Sequence, residues 1–178
     1  MAALRVRALT AATLARWPLP EPGSGADKED RGHVLVIAGS PEMPGAALLA
    51  AEAALRAGAG RLTIAAPQGI AAGLALAVPE SRVIGLREAR SGMHASGLSL
   101  LAPVAPYVRA VVMGPGMQDE TVSVRLVRAL LPMFAHATVV LDALAMSVAR
   151  KMGFAQPVVL TPHAGEMAER SAHTKEEV

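Results

Sequence analysis

Four short stretches carry residue types able to do chemistry, and each directly follows an apolar run. The first is Gly39-Ser40-Pro41-Glu42-Met43-Pro44-Gly45-Ala46. Gly39 and Gly45 let a ligand approach the backbone, and a helix opening at Gly45 offers unpaired N–H groups and a positive dipole end to an anion. An ordinary strand-to-helix turn has the same spacing. The stretch is neither a Walker loop nor a dinucleotide fingerprint, because the lysine and the glycine spacing are absent. The second is Gly114-Pro115-Gly116, a rigid ledge without side chains on which a ligand can press, or simply a tight turn. The third is Thr161-Pro162-His163-Ala164-Gly165-Glu166. Pro162 suits a helix start, and Glu166 lies one turn beyond His163 on the same side. A neutral imidazole there can hydrogen-bond a polar substrate. Alternatively, Glu166 satisfies the helix's first turn and His163 is an exposed loop residue. The fourth is Asp142, whose carboxylate can bind a ribose, water or Mg²⁺, or can cap the segment that follows. Leu144 and Met146 beside it read as core. His33, His94, His136 and His173 show no ligand spacing, so an imidazole metal cluster is not expected.

The elements that must position these residues are legible from hydrophobic patterning. Apolar, β-branched runs recur at Val34–Ala38, Leu62–Ala65, Val83–Leu86, Ala110–Met113, Thr138–Leu141 and Val158–Leu160. Several lack polar alternation, which marks strands covered on both faces and hence a parallel sheet. Helix-compatible segments lie between them. Gly45–Ala57 follows Pro44 and stops at Gly58, and Glu52 and Arg56 sit four apart for pairing. A second helix is predicted from Asp119 to Leu131, with Val122, Leu126, Ala129 and Leu130 as its apolar stripe. A third begins near Pro162–Glu166 and runs on towards Val178. The region Arg87–Pro106 has no clear period. Alternation of strand and helix predicts an α/β fold with a doubly wound, mainly parallel sheet, helices on both faces, and ligands at the carboxyl ends of the strands.

Bulk properties narrow the function classes. The chain has 178 residues, 52% of them apolar and 18% charged, which suits one packed domain. The absence of cysteine excludes disulfides, thiolate metal sites and a cysteine nucleophile. The formal charge is only +2, and Arg5, Arg7, Arg16, Arg56, Arg61 and Arg82 are dispersed. Aromatics make up 2% of the chain, so base-stacking platforms and a phosphate-tracking stripe are both unsupported, and no nucleic-acid partner is expected. No secretory signal and no membrane-spanning run is evident, so a soluble, cytoplasmic protein is expected.

In order, GHVLVIAGSPEMPGAALLAAEAALRAGAGRLTIAAP (Gly32–Pro67), VVMGPGM (Val111–Met117), VVLDALAM (Val139–Met146) and VVLTPHAGE (Val158–Glu166) resemble the ADP- or ATP-dependent (S)-NAD(P)H-hydrate dehydratases. The lead-in with Trp17, Pro18, Pro20, Lys28 and Gly32 is similar too, so the resemblance covers nearly the whole chain. It implies a ribokinase-like fold, a homotetramer, and repair of hydrated NADH or NADPH. A nucleotide phosphorylates the hydroxyl of the damaged nicotinamide ring, and phosphate is then eliminated. It implies Mg²⁺ as cofactor and ADP or ATP as cosubstrate. Substrate contacts map onto Ala46, Gly116 and His163. Glu166 matches the acidic position that related kinases use near Mg²⁺ and phosphate, and the reading of the residues adds Gly39, Ser40, Gly45 and Asp142 as support for phosphate and Mg²⁺.

Two departures shape the expectation. Leu144 stands where the family usually has a second acidic residue. Family members also continue to a Gly-Thr-Gly-Asp segment that forms an anion hole and carries the base, and to a lysine-containing adenine loop. Neither occurs here, so the expected base lies beyond Val178. The expectation is thus one ribokinase-like domain over 1–178, incomplete at its C-terminal side, with residues 1–31 as a lead-in. The alternatives are a hydroxymethyl kinase of the same superfamily, or an inactive ligand-binding or oligomerisation module.

Overall fold

The computed structural model describes residues 9–18, 21–89, 92–171 and 174–175. Arg5, Arg7, Pro20, His173 and Val178 lie outside the described residues. After a short helix α1 (Ala11–Leu14), the chain forms β1 (His33–Ile37), α2 (Pro44–Arg56), β2 (Arg61–Pro67), α3 (Gln68–Ala77) and β3 (Arg82–Leu86). A small antiparallel hairpin, β4 (Glu88–Ala89) with β5 (Gly92–Met93), precedes β6 (Val108–Met113), α4 (Glu120–Leu130), β7 (Thr138–Leu141), β8 (Val158–Leu160) and α5 (Ala164–Ser171). Strands β1–β3 and β6–β8 form one parallel sheet in the order β3-β2-β1-β6-β7-β8. The expected mainly parallel α/β sheet is the fold observed.

The sheet is covered on both faces because side chains alternate along each strand. Leu35 and Ile37 join Val111, Met113, Leu126, Leu130, Phe134, Leu141 and Met146 in one cluster. Val36 and Ala38 face the other way and pack with Ala47, Ala51, Ile64, Ala66 and Leu74. Full burial of each large side chain contributes about 1.5–3 kcal/mol. The second layer is built from alanines, so α2 sits close against the sheet.

Helix boundaries follow local chemistry. Pro44 occupies the first turn of α2, and Glu52 and Arg56 pair at 3.6 Å. Asp119 caps α4 by accepting from the N–H of Val122 at 2.8 Å. The buried stripe of α4 is Ser123, Leu126, Val127 and Leu130, while Ala129 is exposed, so the expected stripe is rotated towards Val127. Helix α3 was not anticipated. Two features hide it: Gly69 and Gly73 lower its propensity, and it has no charged residue to mark a solvent face. The lead-in docks under the sheet: Gly60 and Arg61 donate to Gly32 O, and Arg61 pairs with Glu29. Among the described residues no helix is long and apolar enough to cross a membrane.

Candidate active-site ledge at the strand ends

Strand register sets the site. Ile37 is level with Met113, Met113 with Leu141, and Leu141 with Leu160. The chain therefore leaves the sheet at one height in four neighbouring strands. The ladder runs one step further, with Gly114 N–H donating to Ile37 O, Asp142 N–H to Met113 O, and Thr161 N–H to Leu141 O. The strand order reverses direction between β1 and β6, and a crevice opens at such a switch point. The loops flanking it are those of Gly39–Met43 and Gly114–Gly116.

These two loops are in contact. Gly39 N–H donates to Pro115 O at 2.7 Å. Gly116, with φ +74°, turns the place a side chain would fill towards α2. A Cβ there would lie 2.7 Å from Ala46 Cβ, 3.0 Å from Met43 O and 3.2 Å from Gly39 Cα. Gly114, with φ +122°, is pressed against Asp142 O and Ala145 Cβ in the same way. Gly39, with φ +86°, meets Ile70 Cδ1 and Ala47 Cβ. Protein atoms thus occupy the space that Gly39, Gly114 and Gly116 free. Gly45 is the glycine in this region with open space around it, at the first turn of α2 where amides lack intrahelical acceptors. Ser40 is buried, and its hydroxyl accepts from Met43 N–H at 3.1 Å, which holds the loop.

Asp142 stands next in the row. It occupies the N-cap position of the 3-10 turn Ala143–Arg150, but its side chain does not cap it. Its Oδ1 instead accepts from the Thr161 hydroxyl at 2.7 Å, across β7 and β8. Ala143, directly after it, has φ +46°, a left-handed conformation that costs an alanine about 1–2 kcal/mol. The turn carrying the carboxylate is therefore held by packing against local preference. Thr161 and Ala143 belong to this constellation although sequence reasoning gave them no role. The trace available was position: each adjoins a strand-end residue that was singled out.

His163 and Glu166 form a reciprocal cap on α5. Glu166 Oε2 accepts from His163 N–H at 3.0 Å, while His163 Nδ1 accepts from the N–H groups of Gly165 and Glu166 at 3.0 and 3.3 Å. This is capping-box logic with imidazole in the place of a hydroxyl. Of the two readings of Glu166, its satisfaction of the first helical turn is the one the hydrogen bonds realise. With Nδ1 accepting, a neutral ring carries its proton on Nε2, an assignment inferred from these bonds. The His163 side chain is 73% exposed, and its Nε2 stands 3.7 Å from Glu166 Oε2, beyond hydrogen-bonding distance, with solvent on its other sides.

Met93 of the hairpin closes the wall near Gly39, Ser40, Met117 and Ser123. Sequence reasoning missed it because Arg87–Pro106 lacks a period. His33 lies at the opposite end of β1. It is buried with Nε2 2.8 Å from Thr63 Oγ1, and its Nδ1 has no hydrogen-bond partner. Burial, then the charges of Arg61 and Arg82, lower its pKa below the usual imidazole value, so it is a neutral core histidine. Among the described residues no three His, Asp or Glu gather to hold a metal. Asp142 and Glu166 are each engaged through one oxygen and keep a second. Each could serve an Mg²⁺ carried by nucleotide phosphates, which needs only one or two carboxylates from the protein.

The chain matches the family model of NAD(P)H-hydrate dehydratases over residues 34–174. It is 48% identical over 164 residues to an ADP-dependent (S)-NAD(P)H-hydrate dehydratase of Xanthomonas campestris, covering 92% of this chain and 56% of that protein. A crystal structure of the ADP/ATP-dependent NAD(P)H-hydrate dehydratase from Bacillus subtilis, co-crystallised with ATP/Mg²⁺, superposes with a TM-score of 0.73 at 29% identity. The match covers 98% of this chain and 59% of that one. A ribokinase-like superfamily protein from Enterococcus faecalis shares the fold, with a TM-score of 0.74 at 23% identity over 88% of this chain and 54% of that one. The chain therefore spans a little over half the length of these relatives.

Proposed function

This chain belongs to the NAD(P)H-hydrate dehydratase family, and we propose that it supplies the substrate-holding half of a nucleotide-dependent dehydratase acting on hydrated NADH or NADPH. The observation that carries this reading is the contact of Gly116 with Ala46 at the switch point. It joins two loops into one surface, on which the hydrated nicotinamide ring rests in this reading. Ala46 and Gly116 form the floor, and His163 Nε2–H donates to a polar group on the ligand's rim. The open first turn of α2 at Gly45 receives negative charge from a phosphate.

In this reading ATP or ADP transfers its terminal phosphoryl group to the ring hydroxyl, leaving ADP or AMP, and loss of phosphate together with a proton from the adjacent ring carbon restores the double bond. Mg²⁺ bound with the nucleotide neutralises phosphate charge. Asp142, oriented by Thr161, and Glu166, fixed by the α5 cap, would hold it. The residues of these loops bind and orient; none of them is assigned as the base that removes the hydroxyl proton. Association into homo-oligomers, as tetramers, is part of the same reading. The exposed Leu49 of α2 and Leu76 of α3 support it, since α3 carries no charge.

The test is saturation-transfer NMR of the chain with hydrated NADPH. Strong transfer to the nicotinamide-ring protons is expected, reduced by excess unlabelled hydrated NADH. Transfer confined to adenine protons, or none, overturns the assignment of the ledge.

A further inference from the structure

A second concave surface lies away from the ledge, between α4 and the 3-10 turn Ala143–Arg150. It is an open trough of about 500 Å³, and its walls carry Arg125, Arg128, Arg150 and Lys151, with Glu120 as the acidic residue among them. Glu120 and Arg150 pair across the trough at 3.4 Å and tie its two walls together. The side chains of Arg125, Arg128 and Lys151 make no ion pair or hydrogen bond with any described residue. Three cations without a side-chain partner among the described residues thus surround a gap that this pair spans. Ser147 adds a hydroxyl, and Val124 gives the floor an apolar patch.

We propose that this trough is a binding site for a polyphosphate group, of the kind borne by a nucleoside di- or triphosphate. Three features select that chemistry. Arg125 and Arg128 are three residues apart on α4, about one helical turn and about 4.5 Å of rise, so both guanidinium groups can reach one short chain of phosphates. Two guanidinium forks and an ammonium present donors from both walls, the geometry suited to non-bridging phosphate oxygens. No aromatic residue lines the trough, so recognition falls on the phosphates and not on a base. A single carboxylate ligand leaves two of the three cations unmatched.

The site is independent of the ledge. Its nearest wall is the solvent side of α4, while Val122 and Ser123 of the same helix face the hairpin and the loop of Gly39.

The experiment is calorimetric titration of the 178-residue chain with inorganic tripolyphosphate, ADP and adenosine at low ionic strength. Saturable 1:1 binding of tripolyphosphate and ADP is expected, with none for adenosine and weakening as salt is raised. Combined Arg125→Ala, Arg128→Ala and Lys151→Ala substitution is expected to weaken tripolyphosphate binding at least about tenfold without shifting the thermal transition, since all three side chains are exposed. The single variant Arg56→Ala, which removes an exposed arginine of α2 outside both sites, is expected to leave it unchanged. Absence of saturable tripolyphosphate binding, or binding that survives the triple substitution, overturns the proposal. Adenosine binding as tightly as ADP does so too.

Discussion

A Cβ placed on Gly116 falls 2.7 Å from the Cβ of Ala46, so the loop after β6 and the first turn of α2 are in contact with no room for a methyl group. Two residues from separate strand–helix units, assigned to one ligand by resemblance, are neighbours at the crevice. The contact forces glycine twice over, by φ +74° and by space.

Gly116→Ala is accordingly expected to destabilise the protein by about 2 kcal/mol or more, from left-handed backbone strain plus overpacking. Ala46→Gly in that background removes the closest clash but not the strain or the approach to Met43 O, so recovery is partial. Urea denaturation of the two single variants and the double variant checks this. A coupling near zero contradicts direct contact.

Much of this frame was visible in the sequence. The runs Thr138–Leu141 and Val158–Leu160 are the observed strands, and the other four runs differ from theirs by a few residues at their ends. Buried parallel strands advertise themselves as unbroken β-branched runs, and Pro44, Gly58 and Asp119 mark helix ends by covalent constraint or capping. What stayed hidden depends on tertiary contacts. Helix α3 is rich in glycine and alanine, yet Glu88 of the hairpin accepts from its Gly69 N–H, a pairing no local pattern reveals. The rotation of α4 follows which face meets the sheet. Among site residues, the row of strand ends was expected from topology, but the destination of the space at Gly39 and Gly116 was not. Spacing alone cannot tell a glycine that admits a ligand from one that admits another loop.

Glu166→Gln and Glu166→Ala separate structure from ligand chemistry. Glutamine still accepts from His163 N–H, so α5 retains its amide protection, whereas alanine removes the cap and costs about 1 kcal/mol locally. If the carboxylate also holds Mg²⁺ with phosphate, Glu166→Gln weakens Mg²⁺-ADP binding while keeping the cap. Hydrogen exchange of α5 beside Mg²⁺-ADP titration gives both readouts.

Thr161→Val leaves Asp142 Oδ1 without its hydroxyl donor, in a bond that lies at the surface. A loss of about 1–2 kcal/mol is expected for a hydrogen bond to a charged acceptor. Thr161→Ser retains the donor and is expected to recover most of it. Thermal unfolding of the two variants distinguishes them; equal transitions contradict an energetic role for the bond.

His33 makes stability pH-dependent. Its pKa is lowered in the folded protein, so the unfolded chain takes up the proton first as pH falls below about 6.5. Stability due to the neutral ring is therefore complete above that pH and declines below it, until the folded protein also protonates. One group contributes a slope of at most about 1.4 kcal/mol per unit of pH. Urea midpoints at pH 7.5 and 5.5 should converge in a His33→Gln variant relative to the parent. An unchanged difference assigns the acid sensitivity elsewhere.

The central claim is that the ledge formed by Gly116 and Ala46 holds hydrated NAD(P)H. Isothermal titration of hydrated NADPH into the chain and into Gly116→Ala, with fold content checked by circular dichroism, tests it most directly. The account predicts saturable binding to the parent and at least about tenfold weaker binding to a folded variant. Equal affinity of the two, or no saturable binding to the parent, would contradict it.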